Sequence, residues 1–211
     1  MERRRRLFIV VLLALIPLAG AFYESLQKPA YQEPAKQNTE VQSRLASEVL
    51  GELEVKGRAP KTGYSRSEFG SGWADLNGCD TRNKILNRDL TEVIVDQDAC
   101  KILGGKLDDP YTKKIISFTR GELTSQNVQI DHVVALSDSW QKGAQYLEVD
   151  RRLEIANDPL NLLAVYGEAN QEKSDSDAAS WLPPNKEYRC RYVARQIAVK
   201  SKYSLWVTKA E

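Results

Sequence analysis

Residues 128–136, VQIDHVVAL, constrain the chain more than any other stretch. Val128 and Ile130 alternate with polar neighbours, and Val133 and Val134 follow, a period of two that reads as a strand ending in a polar turn. The run also carries the one histidine of the chain, His132, directly after Asp131. An Asp–His pair at a strand end sets a hard oxygen ligand beside the side chain that titrates near neutrality. That combination suits metal-assisted hydrolysis. Taken alone, these residues read more simply as a turn aspartate and a surface or hydrogen-bonded histidine, and what lies downstream changes the weighting.

Downstream, residues 137–146 and 150–156 have helix-forming composition, with Trp140, Ala144 and Leu147, then Leu153 and Ala156, as apolar faces. Asn157-Asp158-Pro159 ends this insert, and the apolar run LNLLAV (160–165) reads as a buried strand. Gly167 turns the chain, and EANQEKSD (168–175) starts a helix; a last helix spans 186–203. Upstream, Val41, Leu45 and Val49 recur at helical spacing, predicting a helix to about Val55, ended by Gly57 and Pro60. Asp80 or Thr81 caps a second helix over TRNKILNRDL, with Ile85 and Leu86 turned inward. Strands are expected at 93–95, at 100–107 with a turn at Gly104-Gly105, and at 114–118, with further turns at Asn77-Gly78 and Asp109-Pro110. The fold class is α+β.

The N-terminus carries Arg3, Arg4, Arg5 and Arg6, then an apolar run from Leu7 to Leu18, then Ala19-Gly20-Ala21, the pattern of a signal peptide. The run is short for a membrane span of roughly 20 residues, although Phe22 and Tyr23 extend it with interface aromatics, so a retained anchor is the second option. Either way the body of the protein is expected outside the cytoplasm. Residues 22–40 are polar, contain Pro29 and Pro34, and read as a disordered spacer before a domain over 41–211. Three cysteines fit that compartment: one disulfide and one leftover thiol, with Cys79–Cys100, the shorter loop, favoured over pairings with Cys190.

The chain nets +1, and residues 1–21 hold four arginines against one glutamate, which leaves the rest at −2. A strongly basic field is excluded, so any nucleic-acid affinity must come from a local patch. Lys186, Arg189, Arg191, Arg195, Lys200 and Lys202 face only Glu187 in the last helix. Arg191, Arg195 and Lys202 fall within about 40° of one another at ~100° per residue. Arg82 and Asn83 are further candidates for phosphate contact, whereas Arg88 reads as a solvated face.

A strand with His132, a second strand with Asn161 and a helix opening near Asn170 resemble the layout of the HNH, or His-Me finger, nucleases. IDHVVAL, NDPLNLLAV and ANQEKSD look like the DH, NL and NxxK elements of that superfamily. Residues from about Lys56 to Val207 resemble, more closely, exported bacterial proteins related to the C-terminal domain of GmrSD-type restriction endonucleases. GYSRSEFGSGW, GCDTRN, DPYT, IDHVVALSDSW, NDPLNLLAV, WLPPN and YRCRYVARQIAVK carry that resemblance, in order. It implies a ββα-metal finger with a helical insert between its strands, embedded in further helices and short strands. It implies His132 as general base, Asn161 as a brace for the loop that orients it, and Asp131 with Asn170 as ligands of one divalent cation, Mg²⁺ or Mn²⁺. Lys173, Arg82, Arg191 and Arg195 are the expected phosphate contacts. The third motif position is Asn170 rather than His, which leaves the metal open.

The activity so implied is metal-dependent hydrolysis of DNA, and of RNA as a further substrate, with little sequence preference and no obligate protein partner. The competing reading is a non-catalytic envelope binding module that keeps the fold. A zinc peptidase fails because one histidine cannot make HExxH. A Cys190–His132 hydrolase has no supporting local motif.

Overall fold

A computed structural model describes residues 44–75, 78–97, 100–121 and 124–211. The signal segment, the spacer, the start of the helix expected from Val41, and Asn77 lie outside the described residues. Among the described residues no helix is long and apolar enough to cross a membrane.

In chain order the elements are α1 (Ala46–Glu52), α2 (Thr81–Asp89), β1 (Thr91–Val95), β2 (Ile102–Asp108), β3 (Ile115–Thr119) and β4 (Val128–His132). They continue with α3 (Leu136–Gln141), α4 (Val149–Asn157), β5 (Leu162–Tyr166), α5 (Gly167–Lys173) and α6 (Arg189–Lys202). Short 3₁₀ turns, notably Arg66–Phe69 and Ala144–Tyr146, fill the gaps. The helix expected to reach Val55 stops at Glu52, because Val55 leaves it to bridge Val207. Asp80 caps α2 by accepting from Asn83 N at 2.7 Å, and Ile85 and Leu86 are buried beneath it.

β1, β2 and β3 form one antiparallel sheet, and β4 and β5 form a separate antiparallel ribbon. The expected turn at Gly104-Gly105 is absent: β2 runs straight through both glycines, paired with Thr119 and Phe118 of β3. They are there for close approach instead. A Cβ on Gly105 would lie 3.0 Å from the Thr91 carbonyl, and one on Gly104 would lie 3.2 Å from the Ile94 side chain. Cys79 and Cys100 form the disulfide, which ties the segment before α2 to the start of β2; Cys190 is free and exposed.

The ribbon is buried on both faces, which explains why LLAV alternates so little. Val128, Ile130, Leu162 and Ala164 pack with Ile85, Leu86, Ile102 and Phe118, under α2 and the three-stranded sheet. Leu163 and Val165 pack with Tyr111, Ala169 and Tyr192, under α5 and α6. Register pairs His132 with Leu162 and Asp131 with Leu163. Successive residues of a strand point to opposite faces, so Asp131 and His132 serve opposite sides of the ribbon. The insert closes the ends: α3 and α4 pack with Phe69, Val199 and Tyr203 as a third cluster, bringing residues 132 and 162 together across a long excursion.

Candidate active site

His132 ends β4, and its ring is nearly buried. Nε2 lies 3.0 Å from the carbonyl oxygen of Ala156 in α4. A carbonyl only accepts, so Nε2 carries the proton and Nδ1 keeps the basic lone pair. The Trp73 indole stacks parallel on the ring, with centroids 5.8 Å apart and planes 8° apart. Burial pushes the His132 pKa down to about 4, against the Ala156 hydrogen bond, and the charge of Arg66 lowers it further. At neutral pH the imidazole is therefore an uncharged base with one tautomer.

Asn161 fixes the backbone on both sides of that ring. Wholly buried, it accepts from Val134 N at 2.8 Å and donates Nδ2 to Val134 O and Ile155 O, each at 3.2 Å. Its own carbonyl accepts from Val133 N at 2.8 Å. The residues after His132 are thus tied to the turn of α4 that presents the Ala156 carbonyl.

On the opposite face, both oxygens of Asp131 have partners. Oδ1 pairs with Lys173 Nζ at 2.8 Å, and Oδ2 accepts the Tyr111 hydroxyl at 2.5 Å. Burial pushes the Tyr111 pKa well above its ordinary value, so the hydroxyl remains a donor. Lys173 also donates to the His132 carbonyl at 2.9 Å. Asn170 donates Nδ2 to Gln129 Oε1 at 2.8 Å, which leaves its amide oxygen for other partners.

One open cleft of about 480 Å³ has Asp131, His132, Gln129 and Asn170 in its wall, together with Lys61, Tyr64 and Arg66. A smaller recess of about 130 Å³ opens on the Trp73 side of His132, between Arg66, Gly70, Gly72 and Ala156. The donor set can be tested against a divalent cation. A carboxylate from a strand and an amide oxygen from a helix reach the same cleft, and among the described residues no group of three His, Cys, Asp or Glu could hold a metal. A site with two hard oxygens fits Mg²⁺ or Mn²⁺, which keep several waters, and does not fit a closed zinc cage. A cation there would have to share Asp131 with the Lys173 ammonium and the Tyr111 hydroxyl.

The expected phosphate contacts divide. Lys173 has no exposed surface and is spent on Asp131, so it is a counter-ion inside the wall and not a hand held out to substrate. Arg195 donates to the carbonyls of Pro159, Leu160 and Leu162, and Arg88 clasps the first and last of these from the other side. Arg88 is therefore no idle surface residue. Arg82 is half-buried and donates to Val128 O at 3.2 Å, with burial pushing its pKa down. Arg191 alone of the four is exposed. The basic patch of the last helix dissolves similarly: Lys200 pairs with Glu211, Lys202 with Asp158, and Arg189 donates to Pro183 O. Trp73, Tyr111, Gln129 and Arg66 received no role from the sequence, although GYSRSEFGSGW and DPYT contain three of them. Aromatic and arginine positions inside such motifs were the available signal.

The model of the GmrSD restriction endonuclease C-terminal domain matches residues 80–211, which include Asp131, His132, Asn161 and Asn170 but neither Arg66 nor Trp73. An uncharacterized secreted protein of Arthroderma benhamiae is 39% identical over 169 residues, covering 79% of this chain and 79% of its own length. No solved structure matches. The ribbon, the braced histidine and the matched segment coincide, and the chain belongs to the family of the GmrSD restriction endonuclease C-terminal domain.

Proposed function

We propose that the chain is an exported, divalent-cation-dependent endonuclease that hydrolyses phosphodiester bonds of DNA, and of RNA, with little sequence preference. The observation that carries this reading is the single-tautomer, neutral His132 beside Asp131 and Asn170 in one cleft. In the reaction, His132 Nδ1 takes a proton from water as the water oxygen bonds to phosphorus; the ester P–O bond breaks and the departing oxygen takes a proton from solvent. Asn161 and the Ala156 carbonyl hold the ring so that Nδ1 stays unprotonated. A Mg²⁺ or Mn²⁺ ion at Asp131 and Asn170 would supply positive charge for the phosphate and the departing oxygen. Export rests on the N-terminal signal pattern, the disulfide and the secreted relative. The finger-like order of ribbon then helix supports a ββα-metal assignment.

The test is digestion of supercoiled plasmid by the full chain with Mg²⁺, with Mn²⁺ and with EDTA, beside His132→Ala. Metal-dependent nicking that falls at least ~10²-fold in the variant supports the reading. Cleavage that survives His132→Ala assigns the base wrongly. A folded protein that fails to cut whichever divalent cation is added supports a second reading, the non-catalytic binding module, which one observation favours: Lys173 already occupies Asp131.

A further inference from the structure

We infer that Arg66 grips the scissile phosphate beside His132, an inference that rests on the nuclease reading and names the contact that reading lacks. A diester approaching His132 meets three cations in or behind the cleft wall. Lys173 is buried on Asp131, and Lys61 is paired with Asp175 at 3.0 Å. Arg66 is exposed, and among the described residues it has no hydrogen bond or ion pair. It borders both the cleft and the recess, the two openings that His132 also borders. A planar donor fork suits two phosphate oxygens at once.

Its mounting separates it from an ordinary surface arginine. Arg66 opens the 3₁₀ turn Arg66–Phe69, whose last residue is buried against Trp140. The turn is fastened to α4: Arg152 donates to Glu68 O at 2.9 Å and to Glu68 Oε2 at 3.2 Å. Gly70 follows at φ 102°, where a Cβ would come within 2.5 Å of the Leu153 side chain. The same helix offers the Ala156 carbonyl to His132. Base and clamp therefore share one rigid support, the condition for holding a phosphate at fixed distance from the attacking water.

The experiment measures fluorescence anisotropy of a labelled DNA duplex on full-length His132→Ala and on His132→Ala with Arg66→Ala or Arg66→Lys, across a salt series. Cleavage kinetics of Arg66→Ala and Arg66→Lys, with His132 intact, run alongside. The expected result is about tenfold weaker binding for Arg66→Ala, a salt slope shallower by about one phosphate contact, and partial rescue by lysine. Because Arg66 has no partner to orphan among the described residues, the melting temperature should stay that of the parent. Cleavage and salt slope unchanged in Arg66→Ala, with the parent active, would overturn the inference and leave the nuclease reading intact. A parent that neither binds nor cuts nucleic acid would overturn both.

Discussion

Two lysines, Lys142 and Lys173, lie wholly buried against carboxylates, and their surroundings differ. Lys142 is ringed by Asp138 at 2.8 Å, Asp177 at 2.9 Å and Glu211 at 2.7 Å, with Arg58 and Lys200 supplying the balancing charge. Burial works against its ammonium, yet the carboxylates raise its pKa above the ordinary value. The cluster joins α3, the segment after α5 and the C-terminal residue, so it behaves as a knot. Lys173 has one carboxylate, shared with a phenol, and that carboxylate borders the cleft. Charge closed in on every side makes structure; charge compensated from one side, with the other facing a cleft, leaves a place for chemistry. Two arginines teach the converse. Arg195 looked available on a helical wheel and is consumed by carbonyls, whereas Arg66 has no partner among the described residues.

The comparison breaks first at Lys142. Lys142→Met leaves three buried carboxylates under-compensated and is expected to cost about 3–5 kcal/mol in urea denaturation, with cleavage per folded molecule unchanged. A loss of cleavage larger than the loss of folded protein would show that the knot belongs to the site.

Acid should separate the two regions next. His132 titrates at about 4 in the folded chain against 6.5 when free, so the unfolded chain binds the proton first. Its contribution is complete above about pH 6.5 and is lost as pH falls through 4, roughly 3 kcal/mol in all. Trp73→Ala, which uncovers the ring, should raise that pKa toward the free value and move both the stability limb and the acid limb of activity upward. Because His132 is the one histidine, NMR titration reads it directly. In the knot, burial works against the charged form of Asp177, but hydrogen bonds from Lys142 and Ser180 hold it well below the usual carboxylate range, so that loss comes only at lower pH. A stability curve flat between pH 6.5 and 4 would contradict the buried neutral imidazole.

The smallest effect sharpens the contrast most. Lys173→Met leaves Asp131 without its counter-ion, and Mg²⁺ should then restore about 2–3 kcal/mol at saturation, read as a rise in melting temperature. Lys142→Met should gain nothing from Mg²⁺, since Asp138 and Asp177 are buried and Glu211 borders a recess of about 20 Å³, too tight for a hydrated cation. Equal gains, or none in either variant, would erase the distinction.

By itself the sequence determined a strand opening at Val128, a second one over 160–165 that the structure shifts to 162–166, a cap at Asp80 or Thr81 over the buried pair of α2, and the two-helix insert, because alternation, capping and helical period are local properties of the chain. It also brought Asp131, His132, Asn161 and Asn170 forward as one set; Asp131, His132 and Asn170 border one cleft, while Asn161 lies buried behind it on Val134 and Ile155. It misread Gly104-Gly105, where close strand approach and a turn favour the same residue. Only the tertiary structure decided which charges are spent and which remain. Lys173 meets Asp131 from 42 positions away, Arg195 finds carbonyls 33 to 36 positions back, and Trp73 covers His132 from a separate segment. Neutralisation and burial depend on partners distant along the chain, and spacing along one helix carries no record of them.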